Sequence, residues 1–549
     1  MSDLLITKKK LYCNSRPHPN GEFTPQQNAC RHQQKTFGNS ALALAKRCPE
    51  NGKESTESVQ RDSQRVKVMI ESALLPKHQG QIDGEWVPAK SGETFPVFNP
   101  STGEHLADVP RMGAAETDMA ISAACNAMRT QVPLEMRAQW LRRISELMLD
   151  HKQELGRIIT LEHGKPLKEG IVEVEYAAGF FSFFSKQLDK LKHQELPGEI
   201  RGAHWEVHFR PTGVVGSITP WNFPQAMMAK KLAPALGAGC AIVAKPASMT
   251  PLSAIAFCEI ARQAGLPAGM INLVIGSAGP ISETMCQHPA VRLISFTGST
   301  EVGKLLAAST APHVKRLALE LGGNAPFIVF EDADLESAAD ALMANKFRGS
   351  GQTCVCTNRV YAHAQIMESF VNLVAQRVRN LSVGDGMDPE TDIGPLIDRA
   401  GFDKVAEHVA DALSHGAKRL VGDDPPRPAD NWGCFYPPTL LVGAQPEMKV
   451  CREETFGPVL AISQFEQAET VLAAANDTEY GLAAYVFTKD LARAKQCAAA
   501  LSFGHVGLNT GSGPAPEAPF GGMKQSGYGR EGGLEGLLEF CEPQTIVVG

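Results

Sequence analysis

The chain has 549 residues, 43% of them hydrophobic and 21% charged, the composition of a folded globular protein and not of a disordered or fibrous one. At roughly 100 to 200 residues per domain there is room for more than one core. Fifty-three Lys and Arg against 60 Asp and Glu give a formal net charge of −7, which lacks the basic footprint of a nucleic-acid or anionic-membrane binder.

Thirteen cysteines, an odd number without paired spacing, read as reduced thiols and not as a disulfide framework. No run approaches the roughly 18 apolar residues of a membrane span. The start MSDLLITKKKLYC has no apolar stretch of signal-peptide length, so secretion and membrane insertion are not expected. A cytoplasmic location follows, with the mitochondrion as the alternative.

Residues 1–75 carry 12 basic and 7 acidic residues among many Gln, Asn and Ser, with few periodic apolar positions. They read as a disordered tail, or as an organelle presequence, because Arg31 to Arg47 could form a short basic amphipathic helix. From about Gln81, QIDGEWVPAKSGETFPVFNPSTGE alternates short strand-like pieces with turns. Between Thr117 and about Lys192 the spacing is helical, with Leu141, Ile144, Leu147, Met148 and Leu155 along one stripe.

Strand, turn and helix then repeat. GVVGSITP, CAIVAKP, MINLVIG, RLISFTG and RLALELGG are short apolar runs separated by helical segments, the pattern of a buried parallel sheet. A second series starts at PFIVFED, with helices at Leu335 to Phe347 and Met367 to Leu381 and strands near Val459 and Tyr485. The fold class is therefore α/β, with two open-sheet α/β domains.

Seven short strings follow in order: ITPWNFP (Ile218 to Pro224), KPAS (Lys245 to Ser248), FTGSTEVG (Phe296 to Gly303), LELGGNAP (Leu319 to Pro326), GQTCVC (Gly351 to Cys356), EETFGP (Glu453 to Pro458) and PFGGMKQSG (Pro519 to Gly527). Together they resemble the aldehyde dehydrogenase superfamily from about Gln81 to the end. GQTCVC, IGPLID (Ile393 to Asp398) and ANDTEYGLAAY (Ala475 to Tyr485) are most similar to its succinate-semialdehyde dehydrogenases. The resemblance implies a Rossmann-like cofactor domain at 76–195 and 217–321 and a catalytic domain at 322–525. It also implies a small β bridging element at 196–216 and 526–549 that pairs subunits into a homodimer or homotetramer.

By the same resemblance Cys354 is the nucleophile, and a thiolate there can attack an aldehyde carbon to give a thiohemiacetal. The resulting alkoxide needs preorganised donors, which the Asn222 amide and the Cys354 backbone N–H can supply. Loss of hydride to a nicotinamide leaves a thioester, and Glu320 matches the family's general base for its hydrolysis. Members that pass the acyl group to coenzyme A usually lack that glutamate, so a released carboxylic acid is expected.

For the cofactor the resemblance implies Ile218, Trp221, Lys245, Ser248, Gly298, Ser299, Gly303, Leu321, Glu454 and Phe456, with Ser299 opening a helix whose amides can meet a pyrophosphate. The literal G-x-G-x-x-G at Gly527, Gly529 and Gly532 is set aside, because no βαβ unit fits in the residues that remain. Three residues after Lys245, NAD-preferring relatives often carry Glu, which would repel a 2′-phosphate. Ser248 beside the Lys245 ammonium favours NADP, with NAD or dual use as the alternative.

Arg348, six residues before Cys354, matches one of two arginines that hold a distal carboxylate in the resembled enzymes. The second falls after GFFSFFS (Gly179 to Ser185), which points to Lys190, a point charge without the bidentate fork. The loop NTGSGPAPEAPFGG, with Pro514, Ala515 and Pro516, departs from the serine-containing loops of relatives. The expected reaction is thus succinic semialdehyde to succinate, with a larger or uncharged aldehyde as the alternative and an idle, non-catalytic pocket as the rival class. Cys356 is either a core thiol or a redox partner of Cys354. No metal site is expected, and His408 and His415 are expected at the surface.

Overall fold

The computed structural model describes residues 70–198 and 200–549. The segment Arg31 to Arg47, read as tail or presequence, lies outside the described residues. Ile70, Leu74 and Leu75 are buried in the main core, so the packed body includes the last residues of the stretch read as tail.

Two large sheets organise the chain. In the first, the parallel strands Arg316–Glu320, Val291–Thr297, Val214–Ile218, Ile242–Lys245 and Ile271–Leu273 lie side by side in that order. The antiparallel strands Gly527–Tyr528 and Gly80–Ile82 flank them, with Glu85–Val87 outermost. Strands Val214–Ile218 and Ile242–Lys245 are buried along their whole length, as a sheet covered by helices on both faces requires. The helices Ala114–Ala127, Leu134–Asp150, Lys152–His163 and Leu167–Gln187 precede this series, as the helical spacing predicts.

The second sheet runs Lys418–Val421, Thr439–Val442, Val459–Phe465, Thr357–His363, Ala325–Val329, Ala483–Phe487 and His505–Leu508, parallel except at its first pair. A third, antiparallel sheet joins Gln194–Glu195, His204–Pro211 and Cys541–Val548, with the C-terminal strand at its edge. The architecture is α/β with two open sheets.

The first sheet reverses its strand order between Val214–Ile218 and Val291–Thr297, which puts a crevice outside their carboxyl ends. Asn222 follows the first of these strands, Gly298 and Ser299 follow the second, and Glu320 closes the next one over. The glycines of GYGREG belong to no βαβ unit. Gly527 sits at φ 109° where a Cβ would lie 1.9 Å from the Leu319 carbonyl, so it is there to let the short edge strand approach.

Candidate active site

A cavity of about 380 Å³ gathers Asn222, Glu320, Arg348 and Cys354 with Tyr176, Phe223, Lys230, Thr297, Pro514 and Glu531. They come from strand ends, turns and the inner faces of helices, held by local devices. Cys354 follows the tight turn Arg348–Gly351, in which Gly349, Ser350 and Gly351 all have left-handed φ of 57°, 59° and 75°. Ser350 is not glycine and bears a cost of about 1 kcal/mol there, offset by its hydroxyl donating to the Gly394 carbonyl and by Glu169 accepting from the Gly349 amide at 2.7 Å. Downstream, the buried Tyr485 hydroxyl donates to the Val355 carbonyl at 2.8 Å.

Asn222 is buried, and its Nδ2 donates to the Gln352 carbonyl at 3.0 Å, tying the PWNFP loop to the turn before Cys354. The helix Pro224–Ala238 begins right after it with Pro at its start, and every one of its residues is buried. Trp221 sits between His163 and the Phe456 ring, with centroids 5.7 and 5.8 Å away.

Burial dominates the site's electrostatics. It pushes the Cys354 thiol up to about 12, reinforced by the Glu454 and Glu320 carboxylates and opposed by Lys230. Burial, then Glu531, holds Glu320 well above the usual carboxylate range against Lys230 and Lys231. Its Oε2 has no hydrogen-bond partner. Glu531 behaves oppositely: burial would raise it, but Lys231, at 2.6 Å, and Lys230, at 3.5 Å, hold it below the ordinary value. Burial disfavours the Lys230 ammonium too, but Tyr176 and Glu531 outweigh that and raise its pKa, so it stays a cation.

The sequence-derived substrate pair needs one correction. Arg348 lines the cavity, its guanidinium 5.4 Å from the Phe223 ring centre and its Nε buried without a partner. Lys190 does not. It is exposed on the short turn Leu188–Leu191, because the helix carrying the aromatic run ends at Gln187 and turns that stretch outward. Besides Arg348 the cavity is lined by Lys230, 4.7 Å from the Phe520 ring centre, and by Lys168 at its exposed side, paired with Asp392 at 2.8 Å. For Lys230 the signal in the sequence is the pair Lys230-Lys231 inside the otherwise apolar AMMAKKLAPAL, a helix with no polar face to carry it.

The cofactor candidates line up at strand ends. Ser299 caps the helix Thr300–Thr310 by accepting from the Val302 amide, and Leu321 packs against Gly303, where a Cβ would meet it at 2.5 Å. Lys245 ends its strand buried, donates to the Pro246 carbonyl and is paired with no carboxylate among the described residues, and burial lowers it to about 8. Ser248 is exposed close by. Glu454 accepts from the Gly323 amide at 3.0 Å, and burial raises it to about 7. An under-compensated buried ammonium, an exposed hydroxyl beside it and a capped helix N-terminus together fit a phosphate-bearing dinucleotide.

Cys356 is buried, its thiol donating to the Gly351 carbonyl at 3.4 Å and facing the buried Lys346 Nζ at 3.6 Å. His408, expected at the surface, is buried instead. Its Nδ1 is 2.9 Å from the Thr455 hydroxyl and its Nε2 3.3 Å from Glu453, which ties the helix Arg399–Ser414 to the EETFGP loop.

The sequence model of the aldehyde dehydrogenase family matches residues 86–546. The chain is 46% identical over 482 residues to the NADP(+) succinate-semialdehyde dehydrogenase GabD of Escherichia coli (strain K12), covering 87% of this chain and 99% of that one. It is 44% identical over 484 residues to a glutarate-semialdehyde dehydrogenase of Pseudomonas aeruginosa, covering 88% and 100%. Among solved structures it is similar to an oxidoreductase from Marinobacter aquaeolei, with a TM-score of 0.86, 52% identity and coverage of 88% and 100%.

Proposed function

The chain belongs to the aldehyde dehydrogenase family and oxidises aldehydes with NAD(P)+, and we propose that its substrate is a short aldehyde ending in a carboxylate, succinic semialdehyde first, with NADP+ as the preferred oxidant. The observation that carries this reading is the placement of two cations, Arg348 and Lys230, in the same cavity as Cys354, with Arg348 Nε buried and unpartnered. A carboxylate entering that space gives Arg348 Nε the acceptor it lacks, with the Lys230 charge nearby, and is too costly to desolvate without them.

Cys354 Sγ attacks the aldehyde carbon, and its proton passes to the free oxygen of Glu320. The Asn222 amide and the Cys354 N–H hold the alkoxide, which lowers the barrier without reorganisation. When bound, NADP+ supplies the hydride acceptor, held by Lys245, Ser248, the Ser299-capped helix and Glu454. Glu320 gives up the thiol proton to solvent, then takes one from the water that attacks the thioester and passes it to the departing Cys354 thiolate as the carboxylic acid leaves. The partly buried thiol, pushed up to about 12, makes attack depend on that base.

A five-carbon semialdehyde is the second reading. Gly513 and Pro514 form that wall of the cavity and offer no side-chain hydroxyl to fix a chain length. The exposed edge of the strand Cys541–Val548 supports pairing of subunits there. The ten cysteines among the described residues are all unpaired, which supports a reducing compartment, the cytoplasm first and the mitochondrion second.

Substituting Arg348→Leu tests the carboxylate site. The kcat/KM for succinic semialdehyde is expected to fall at least 100-fold while that for butanal changes less than threefold, and equal losses for both aldehydes would overturn the assignment.

A further inference from the structure

We infer that Lys165 is a positioning residue for the oxyanion site, acting through the main chain of Asn222; this rests on the proposed role of Asn222. Lys165 lies between the helices Lys152–His163 and Leu167–Gln187, on a segment whose neighbours are fixed tightly. A Cβ on Gly386 would come within 2.4 Å of the Lys165 carbonyl, and the Leu167 amide donates to the Gly386 carbonyl at 2.9 Å. The side chain is fully buried and reaches across to the PWNFP loop.

Its ammonium has three partners. It donates to Glu173 Oε2 at 2.6 Å and to the Asn222 carbonyl at 2.7 Å, and it lies 3.8 Å from the centre of the Phe223 ring. The other oxygen of Glu173 accepts from the amides of Gln225 and Ala226 at 2.9 and 3.2 Å, the first free N–H groups of the helix Pro224–Ala238. One ion pair therefore grips the loop on both sides of Phe223, at the carbonyl of residue 222 and at the amides of 225 and 226. The Asn222 side chain leaves the chain at the residue whose carbonyl is gripped and reaches the Gln352 carbonyl, two residues before Cys354.

Oxyanion donors work only when held at the distance the alkoxide will occupy, and a loop held at one end alone would let the amide drift. A buried ion pair is weak evidence for stability, since well-packed apolar groups can replace it, but it specifies one geometry. Here the geometry specified is that of Asn222. Lys165 touches neither the cavity nor the reacting atoms, and its effect passes through the carbonyl it holds.

A mutant cycle on the full-length enzyme tests this, with succinic semialdehyde and saturating NADP+. Asn222→Ala is expected to lower kcat by about 100- to 1000-fold, the usual cost of one oxyanion donor. Lys165→Met is expected to lower kcat about 100-fold with KM for the aldehyde and the Kd for NADP+ within threefold of wild type. The double variant is expected within threefold of Asn222→Ala alone, because both remove one interaction. A Lys165→Met enzyme with near-wild-type kcat, or a double variant whose loss is the product of the two, overturns the inference. If Lys165→Met does not fold, Glu173→Gln replaces it, with a loss of about tenfold and the same lack of additivity with Asn222→Ala. Full kcat in Asn222→Ala alone removes the reading of Asn222 itself, a failure distinct from that of Lys165.

Discussion

Lys231 Nζ and Glu531 Oε1 lie 2.6 Å apart in a pair that is almost wholly buried, and the carboxylate it fixes is the negative charge that most raises Glu320. The base and its perturber thus share one cluster with Lys230. Glu320 acts as a base only when ionised, so kcat is expected to rise with pH on a limb above the ordinary glutamate range. Replacing Glu531 by Gln removes the repelling charge and leaves both lysines beside Glu320. The limb of the kcat–pH profile should then move to lower pH, and a shift to higher pH would contradict the arrangement.

Replacing Glu320 by Gln keeps the size of the side chain and removes the base for water. Turnover should fall by about 100- to 1000-fold. Deprotonation of Cys354 and hydrolysis of the thioester both need this base, so a rapid-mixing experiment should show no NADPH burst, and a burst of one NADPH per active site would mean that attack proceeds without Glu320. Acyl-enzyme on Cys354 should not accumulate, which mass spectrometry of the intact protein would check.

At the cofactor site, Ser248→Glu places a carboxylate next to the buried Lys245 ammonium, which has no acidic partner among the described residues. It should pair with Lys245 and repel a 2′-phosphate. KM for NADP+ is expected to rise at least tenfold while that for NAD+ stays within threefold, measured by steady-state rates with each cofactor at one aldehyde concentration.

The order of elements and the positions of Cys354, Asn222, Glu320 and Lys245 were legible because each sits in a turn or strand end whose residue types are dictated by backbone and chemistry. Gly323 is an example: a Cβ there would come 2.3 Å from the Cys354 carbonyl, so the glycine three residues after the base records the approach of the nucleophile's loop. Lys190 illustrates what was not legible. Its distance along the chain from the aromatic run points to it, whereas the cavity takes Tyr176 from that helix and the buried Lys230 from another. Lysines are almost never fully buried unless paired, so a sequence places Lys230, Lys231 and Lys165 at the surface until the carboxylates Glu531 and Glu173 are seen to meet them across 300 and 8 residues. His408 was misplaced for the same reason, its partner Thr455 being 47 residues away.

The most direct test is the initial rate of NADPH formation by the purified enzyme with succinic semialdehyde, glutaric semialdehyde, butanal, hexanal and benzaldehyde at equal concentrations below KM. The expected result is a kcat/KM for a carboxylate-bearing aldehyde more than tenfold above every neutral one, or about 1.4 kcal/mol of transition-state preference supplied by Arg348 and Lys230. A neutral aldehyde oxidised as fast as or faster than both semialdehydes would contradict it.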